Sequence, residues 1–343
     1  MKTIFIVDDN DTNLMAAKTA LDGIYRTFAL PGAEKIWKLA ERIMPDLILL
    51  DVNMPGTDGF QTIKLLKADE KLRSVPVIFL TAMNDEETEI RGFELGALDF
   101  VNKPFSAPAL LKRIETHLET DRLIKESERA VRELHNATIS VIADMVESRD
   151  KVTGGHIERT QRYLDLLIGE LNRTGIYTDE IAGWDLELLI PSSQLHDVGK
   201  ITISDTILNK PGKLTGEEFA IIKTHCAEGE RIIDHIAGKT QDDGFLNHAR
   251  RFAGTHHEKW DGSGYPGNLK GYEIPLEGRL MAVADVYDAL VSERPYKNAF
   301  THQASVGIIQ NESGTHFDPA LVAAFLNISD EFYKTSAQQP GTR

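Results

Sequence analysis

The chain has 343 residues, of which 41% are hydrophobic and 27% are charged, a composition typical of globular proteins at a length that suits two domains. No apolar run approaches the roughly twenty residues of a membrane span, and the first residues lack the pattern of a signal peptide, so we expect a cytoplasmic protein. The net charge of −15 argues against a nucleic-acid duplex as a partner, because phosphate binding needs a basic surface. Cys226 is the single cysteine of the sequence, which excludes an internal disulfide bond.

Short apolar runs alternate with amphipathic segments over the first part of the chain. The strand-like runs are residues 4–7, 47–50, 77–80 and 100–101. Helical spacing of apolar residues occurs at 14–21, 36–43, 63–66 and 90–95. This alternation predicts a doubly wound α/β domain. Functional groups in such sheets gather at the carboxyl ends of the strands, where the sequence has Asp8, Asp9, Asp51, Thr81 and Lys103.

These strand-end residues have complementary chemistry. Crowded carboxylates repel one another unless a hard cation such as Mg²⁺ lies among them. Asp51 could then act as a nucleophile that forms an aspartyl phosphate. In that case Thr81 would hydrogen-bond the new phosphoryl oxygens and Lys103 would pair with their charge.

Residues 1–120 resemble the receiver domain of two-component response regulators. The resemblance rests on the Asp8–Asp9 pair, on Asp51 before the run NMPGTDG, on Thr81 before alanine, and on the triplet Lys103-Pro104-Phe105. It implies a five-stranded flavodoxin-like parallel sheet in which Asp51 is phosphorylated by a cognate histidine kinase. It also implies a cis Lys103–Pro104 bond. The implied magnesium site and switch residues are Asp8, Asp9, Asp51, Asn53, Thr81, Phe100 and Lys103.

A helix is predicted to connect this domain to the next at residues 107–135. The sequence contains no proline or glycine between Ala109 and Thr153. Its apolar residues approximate a heptad seam that Asp121 and Ser127 interrupt. Two interpretations stay open at this stage: a coiled coil that makes the protein a homodimer, and a single amphipathic helix packed on its own domain.

The rest of the chain predicts one helix after another, with proline and glycine between them. The expected helices are at 156–171, 185–196, 216–236, 246–257 and 275–291. We therefore expect an all-α domain at residues 136–330 with a long glycine-rich loop. A flexible polar tail is expected at 331–343.

Metal-binding residue types are spread over this second region. His196 and Asp197 are adjacent, as are His256 and His257. Adjacent residues on a helix point about 100° apart, so each pair could serve two neighbouring metal ions, with the Asp197 carboxylate between them. With His225 and Asp285 the set mixes imidazole and carboxylate ligands, which suits Fe, Mn, Ni or Zn rather than Ca²⁺.

The second region resembles the HD-GYP domain, a subgroup of the HD superfamily of metal-dependent phosphohydrolases. The matching motifs are TGGHIER from Thr153, LHDVGK from Leu195, HHEKWDGSGYP from His256, VADVYDAL from Val283 and RPYK from Arg294. The resemblance implies a phosphodiesterase that cleaves cyclic di-GMP to pGpG and sometimes onward to GMP. It also implies two divalent transition metal ions, with Fe or Mn favoured over Ni or Zn, held by His196, Asp197, His225, His256, His257 and Asp285.

The same resemblance implies further site residues. His156 lies at the edge of the metal centre as a weaker ligand. The catalytic residues are Asp197 and Lys200, and Lys200 is expected to offset charge on the scissile phosphate. Substrate binding is assigned to Lys200, Gly264, Tyr265, Pro266, Arg294 and Lys297. For Glu258 and Asp261 we favour a role in fixing the loop over one in proton transfer.

One departure from the family pattern bears on the metal count. Some relatives carry a glutamate four residues before the first histidine and hold a third metal, whereas this chain has Val152 there. We therefore predict two metals. Two alternatives stay open: an enzyme that prefers pGpG or another cyclic dinucleotide, and a binding module with a structural metal that contacts a diguanylate cyclase or another signalling protein.

Overall fold

A computed structural model of the chain describes residues 1–82, 86–149, 155–240, 244–293 and 298–337. The chain divides into two compact units, Met1–Val131 and Arg132–Arg343. Each unit has its own hydrophobic core and is described by itself. None of the helices in the described residues is both long enough and apolar enough to cross a membrane.

The first unit is built around a parallel sheet with strand order β2-β1-β3-β4-β5. The strands are β1 (Thr3–Val7), β2 (Arg26–Leu30), β3 (Leu47–Asp51), β4 (Val77–Thr81) and β5 (Asp99–Asn102). Four helices alternate with them: α1 (Asp11–Leu21), α2 (Lys35–Ala40), α3 (Gly59–Ala68) and α4 (Glu86–Glu94). The predicted doubly wound fold is confirmed.

The burial of each strand explains whether it could be predicted from the sequence. Strands β1, β3 and β4 are buried at every residue, because helices cover both faces of a parallel sheet, and such strands read as continuous apolar runs. Strand β2 was missed. It lies at the edge of the sheet, and only Leu30 among its five residues is buried, so it lacks the apolar run.

Helix α5 (Ala107–Glu147) begins in the first unit and ends in the second. The predicted end at residue 135 was too early, since neither proline nor glycine stops the helix before Glu147. Its last part packs within the second unit, where His135 lies edge-on against Phe245 with ring centroids 4.8 Å apart. Ala143 and Val146 are buried.

The second unit is all-α, as predicted. Its helices are α6 (His156–Thr174), α7 (Thr178–Ile181), α8 (Leu186–Ser192), α9 (Asp205–Leu208), α10 (Gly216–Ala237), α11 (Gly244–Thr255), α12 (Leu276–Val291), α13 (His302–Asn311), α14 (Pro319–Asn327) and α15 (Ser329–Ser336). Three 3₁₀ helices accompany them at Ser193–Leu195, Val198–Thr202 and Gly271–Glu273. The main core lies between α6, α8, α12 and α14.

The C-terminal tail does not begin at residue 331. Helix α15 continues to Ser336, and Phe332 is fully buried. Its ring stacks on Tyr163 of α6 with centroids 4.4 Å apart. The polar residues around Phe332 suggested a frayed end, but this single aromatic residue anchors the helix to the core.

Candidate functional site

The carboxyl ends of β1, β3 and β5 bring together the charged residues of the first unit. The Lys103 ammonium lies 2.6 Å from Asp8 Oδ2 and 2.7 Å from Asp51 Oδ1. Carboxylate oxygens of Asp8, Asp9 and Asp51 come within 4.8 Å of one another, close enough to hold a metal ion. Hard oxygen ligands of this kind suit Mg²⁺.

The environment of Asp51 sets its protonation. Burial raises the pKa of its carboxyl, and the hydrogen bond from Lys103 opposes that rise only in part. Asn53 donates its backbone N–H to the same carboxylate. Thr81 is fully buried at the end of β4, and Phe100 is 6% exposed with its ring against Phe79 and Phe93. The Lys103–Pro104 bond is cis, as the resemblance implies.

His196 and Asp197 lie between two 3₁₀ helices and not on an α-helix, contrary to the prediction. Helix α8 contains Pro191, and the hydroxyl of Ser193 donates to the carbonyl of Ile190, so the chain leaves α8 before His196. Residues i and i+3 are eclipsed in a 3₁₀ helix. The Lys200 ammonium accordingly lies 2.8 Å from Asp197 Oδ2.

Five histidines of the second unit form two groups with Asp197 between them. In each group the candidate ligand atoms lie within 4.8 Å of one another: His225, His256 and His257 in the first, and His156, His196 and Asp285 in the second. Asp197 Oδ2 lies 3.4 Å from His196 Nε2, and Asp197 Oδ1 lies 3.4 Å from His225 Nε2. The two oxygens of one carboxylate thus face different groups.

Backbone carbonyls orient three of these imidazoles. The Nδ1 atoms of His196, His225 and His256 lie 2.9, 2.7 and 2.9 Å from the carbonyl oxygens of residues 193, 222 and 252. Each Nδ1 therefore carries the proton, and each Nε2 is left with its lone pair toward the centre, which is how metal-binding histidines are usually held.

The spacing of the candidate ligand atoms suits bound metal ions and is unfavourable without them. His225 Nε2 and His256 Nε2 lie only 3.3 Å apart, although both carry lone pairs. Two nitrogens bound to one ion at about 2.1 Å would have a similar separation. In the described part of the chain, His196 Nε2 and Asp197 Oδ1 are buried without a hydrogen-bond partner. Buried polar atoms of this kind need a ligand.

Burial also keeps the group of His225, His256 and His257 in its metal-binding protonation state. Desolvation lowers the pKa of His256 to about 3 and lowers the pKa values of His225 and His257 as well. Burial would raise the pKa of Asp197, but Lys200 and His196 lower it well below its usual range. Neutral imidazoles and an ionised carboxylate are the forms that bind metal.

His156, predicted as a weaker ligand, lies in the second group of candidate ligands. It is 6% exposed, and its Nε2 lies 3.6 Å from Asp285 Oδ1. Its Nδ1 lies 2.8 Å from Oδ2 of Asp288, whose other oxygen accepts a 2.6 Å hydrogen bond from Arg159. This carboxylate-histidine pair turns Nε2 toward the cavity. Asp288 falls within the VADVYDAL motif but was not predicted to have a role.

The glycine-rich loop is tied down by Glu258, as we favoured. Its carboxylate accepts hydrogen bonds from the backbone N–H groups of Gly267 and Leu269, at 2.5 and 3.0 Å. A Cβ at Gly264 would lie 2.3 Å from the backbone nitrogen of Lys259, so only glycine fits there. The ring of Tyr265 packs on His257 with centroids 4.9 Å apart.

Most of the candidate metal-binding residues line a cavity of about 230 Å³. Lys200 and the end of α5 contribute to its wall. The described residues that line it do not include Gly264, Tyr265 or Pro266, so their contact with substrate stays a prediction. Arg294, Lys297 and Val152 lie outside the described residues.

Comparison with known proteins places both units in families. The model of the response regulator receiver domain matches residues 4–115, and the model of the HD domain, which implies divalent metal binding, matches residues 140–321. A Vibrio cholerae protein described as a probable cyclic di-GMP phosphodiesterase is 38% identical over 94% of this chain and 77% of its own length. The cyclic di-GMP phosphodiesterase response regulator RpfG of Xanthomonas campestris is 32% identical over 98% of this chain and 92% of its own.

A third relative matches a smaller share of the chain. The 3′3′-cGAMP-specific phosphodiesterase 2 of Vibrio cholerae is 37% identical over 61% of this chain and 38% of its own length. Two relatives thus match nearly the whole chain, with both units in the same order. The chain belongs to the family of response regulators in which a receiver domain precedes a metal-dependent phosphohydrolase domain of the HD superfamily.

Proposed function

We propose that the chain hydrolyses cyclic di-GMP to pGpG, and in part onward to GMP, under the control of phosphorylation at Asp51. The observation that supports this most strongly is the position of Asp197 between two groups of metal-binding side chains, with 3.4 Å to a histidine on each side. Two ions sharing a carboxylate is the arrangement that many phosphodiesterases use. The choice of cyclic di-GMP as the substrate rests on the names of the two relatives that match nearly the whole chain.

The proposed centre holds two divalent transition metal ions. One is assigned to His156, His196 and Asp285, the other to His225, His256 and His257, with Asp197 shared. Fe or Mn is favoured for these mixed ligands, with Ni or Zn as alternatives. When bound, such ions activate water for attack on phosphorus and neutralise the phosphodiester.

The chain's own contribution to the reaction centres on Lys200. Its ammonium lines the cavity beside Asp197 and is proposed to bind a phosphate oxygen. Negative charge grows on that group in the transition state, so a fixed cation there lowers the barrier. Arg294 and Lys297 are proposed to bind the other phosphate, and the loop with Gly264, Tyr265 and Pro266 to contact the nucleotide.

Control is assigned to the receiver unit. A histidine kinase, which acts in the cytoplasm, would transfer phosphate to Asp51, with Mg²⁺ held by Asp8, Asp9 and Asp51. The incoming phosphate would compete for Lys103, which pairs with both Asp8 and Asp51. Helix α5 is the proposed coupling element, because it starts in the receiver unit and its end lines the cavity.

Product analysis tests this function. The full chain is loaded anaerobically with Fe²⁺ or Mn²⁺ and incubated with cyclic di-GMP or pGpG, and products are separated by chromatography. We expect conversion of cyclic di-GMP to pGpG that disappears in His196→Ala/Asp197→Ala. Chemical phosphorylation should change the rate in the wild type and not in Asp51→Asn. Metal-loaded protein without turnover would favour a binding module.

A second candidate substrate is 3′3′-cGAMP. The observation that favours it is the likeness of 61% of the chain to a phosphodiesterase named for that nucleotide. A competition assay with equal concentrations of both cyclic dinucleotides decides between them. The substrate with the higher kcat/KM is consumed first.

We also propose that α5 pairs with a second copy of the chain. Val131, Leu134, Val141 and Met145 are 57–69% exposed and follow a heptad spacing, which suits a coiled coil. Sedimentation should show a dimer that dissociates in Leu134→Glu. The exposed substitution Glu128→Gln is the matched control on the same helix, and a wild-type monomer would contradict the pairing.

A further inference from the structure

Glu147 is the last residue of α5, and its side chain lines the metal cavity together with His156, His196 and Asp285. Its Oε1 atom is shielded from solvent and has no hydrogen-bond partner among the residues that the structure describes. The functional residues predicted from the sequence do not include it. It lies nine residues before His156, away from the family position that Val152 occupies.

A carboxylate oxygen that is shielded from solvent and has no partner is costly, so we expect the cavity to supply a proton donor or a cation. The neighbouring histidines do not supply a donor to it. The Nδ1 of His156 is bonded to Asp288, and the Nδ1 of His196 is bonded to a backbone carbonyl. Their remaining nitrogens face the same cavity as Glu147.

The other charges near Glu147 make a cation still more favourable. Asp144 and Glu158 are both close enough to repel its carboxylate, which His156 and His196 attract. Asp285 lies across the cavity and is itself a candidate metal ligand. A divalent ion beside His156 and His196 would offset all these charges at once.

We propose that Glu147 is a ligand of the metal ion assigned to His156, His196 and Asp285, an inference that rests on the proposed metal centre. With Asp197 Oδ2, which faces the same group, that ion would have two nitrogen and three oxygen ligands. The other ion has three nitrogens and one oxygen. Oxygen-rich sites favour harder ions. The ion site with Glu147 should therefore prefer Fe²⁺ or Mn²⁺ over Zn²⁺ more strongly than the ion site with His225.

The test is metal stoichiometry and affinity in the full chain, which does not depend on turnover. Wild type, Glu147→Gln, Glu147→Asp and Glu158→Gln are titrated anaerobically with Mn²⁺, and bound metal is counted by mass spectrometry. Glu158 is the matched control, because it is a nearby but exposed glutamate. We expect two ions per wild-type chain, with one ion weakened at least about tenfold in Glu147→Gln and a much smaller change in Glu158→Gln, which removes a nearby charge but no residue of the cavity wall.

Glu147→Asp keeps a carboxylate on a shorter side chain, so it should retain part of the metal affinity that Glu147→Gln loses. A purely structural role of Glu147 would not predict this difference. A folded Glu147→Gln protein that binds both ions with wild-type affinity overturns the inference. His196→Ala separates this failure from failure of the proposed function, because unchanged metal binding in that variant would overturn the metal centre itself.

A second measurement needs no variant and therefore does not depend on folding of the mutants. Anomalous diffraction from crystals of the wild type grown with Mn²⁺ should place a Glu147 oxygen within about 2.3 Å of an ion, a distance typical of bonds between oxygen ligands and divalent ions. A Glu147 side chain turned away from every ion overturns the inference.

Discussion

Replacing Gly199 by alanine tests whether the close approach of two backbones holds the metal centre together. Gly199 lies in the 3₁₀ helix after Asp197, against the helix that carries His225. A Cβ there would lie 1.9 Å from the carbonyl oxygen of His225 and 2.5 Å from the nitrogen of Gly229. Both neighbours are backbone atoms, so no side chain can rotate away.

The size of the disturbance follows from these distances. Ordinary contacts of a Cβ begin near 3.4 Å, so the two segments must separate by about 1.5 Å. Overpacking of this kind costs about 1–3 kcal/mol in the free energy of unfolding. The separation also moves His225 away from Asp197, now 3.4 Å apart, and a misplacement of about 1 Å can cost on the order of 100-fold in rate.

Three measurements on Gly199→Ala check the prediction: thermal unfolding, bound metal per chain, and turnover of cyclic di-GMP. We expect lower stability, weaker binding of the ion assigned to the His225 group, and a fall in kcat/KM of about 100-fold. Gly169→Ala is the matched control, because the site is exposed in a helix with nothing within 4 Å of the added Cβ. Wild-type metal affinity and turnover in Gly199→Ala would refute the role of this contact.

Three further variants probe positions around the site. Arg149 donates hydrogen bonds to backbone carbonyls of the turn that carries Lys200 and so positions that lysine. Arg149→Ala should therefore lower kcat about tenfold at unchanged metal content. Loss of metal would contradict this positioning role. Glu258→Ala frees the glycine-rich loop and should raise KM more than it lowers kcat in steady-state assays, whereas a pure loss of kcat would point to proton transfer. Glu277 is 1% exposed and hydrogen-bonded to His248. Burial would raise the pKa of its carboxyl, but His248 and a nearby arginine bring it below 4.5. The ionised carboxylate should therefore stabilise the folded state by about 2 kcal/mol above pH 4.5, and this stabilisation is lost as the pH falls through the lowered pKa. Unfolding of wild type and Glu277→Gln across pH should therefore differ near neutrality and converge in acid, and a constant difference would contradict the linkage.

The sequence predicted the fold wherever burial leaves a simple pattern. Fully buried strands such as Leu47–Asp51 appear as uninterrupted apolar runs, and the absence of proline and glycine predicts the long helix α5. The edge strand Arg26–Leu30 and the anchor Phe332 escaped prediction. In both cases the deciding contact is tertiary, and the local sequence resembles exposed structure.

The candidate metal ligands could be identified because histidine and aspartate side chains seldom occur in such adjacent pairs. Two adjacent pairs, His196–Asp197 and His256–His257, mark a site without any knowledge of the fold. Glu147 and Asp288 gave no such signal, because a single acid on a helix is usually solvated. Only packing shows that Asp288 is buried against His156 and that an oxygen of Glu147 faces the cavity.

The final turn of α5 sets a rule for joining other sensory domains to this phosphohydrolase unit. Ala143, Val146 and Glu147 are part of the cavity wall, although a helix entering a domain is easily mistaken for a replaceable linker. A chimaera spliced after residue 147 would exchange part of the catalytic unit along with the sensor. Splicing before Arg132, where the second compact unit begins, transplants the whole unit and leaves the wall of the cavity intact.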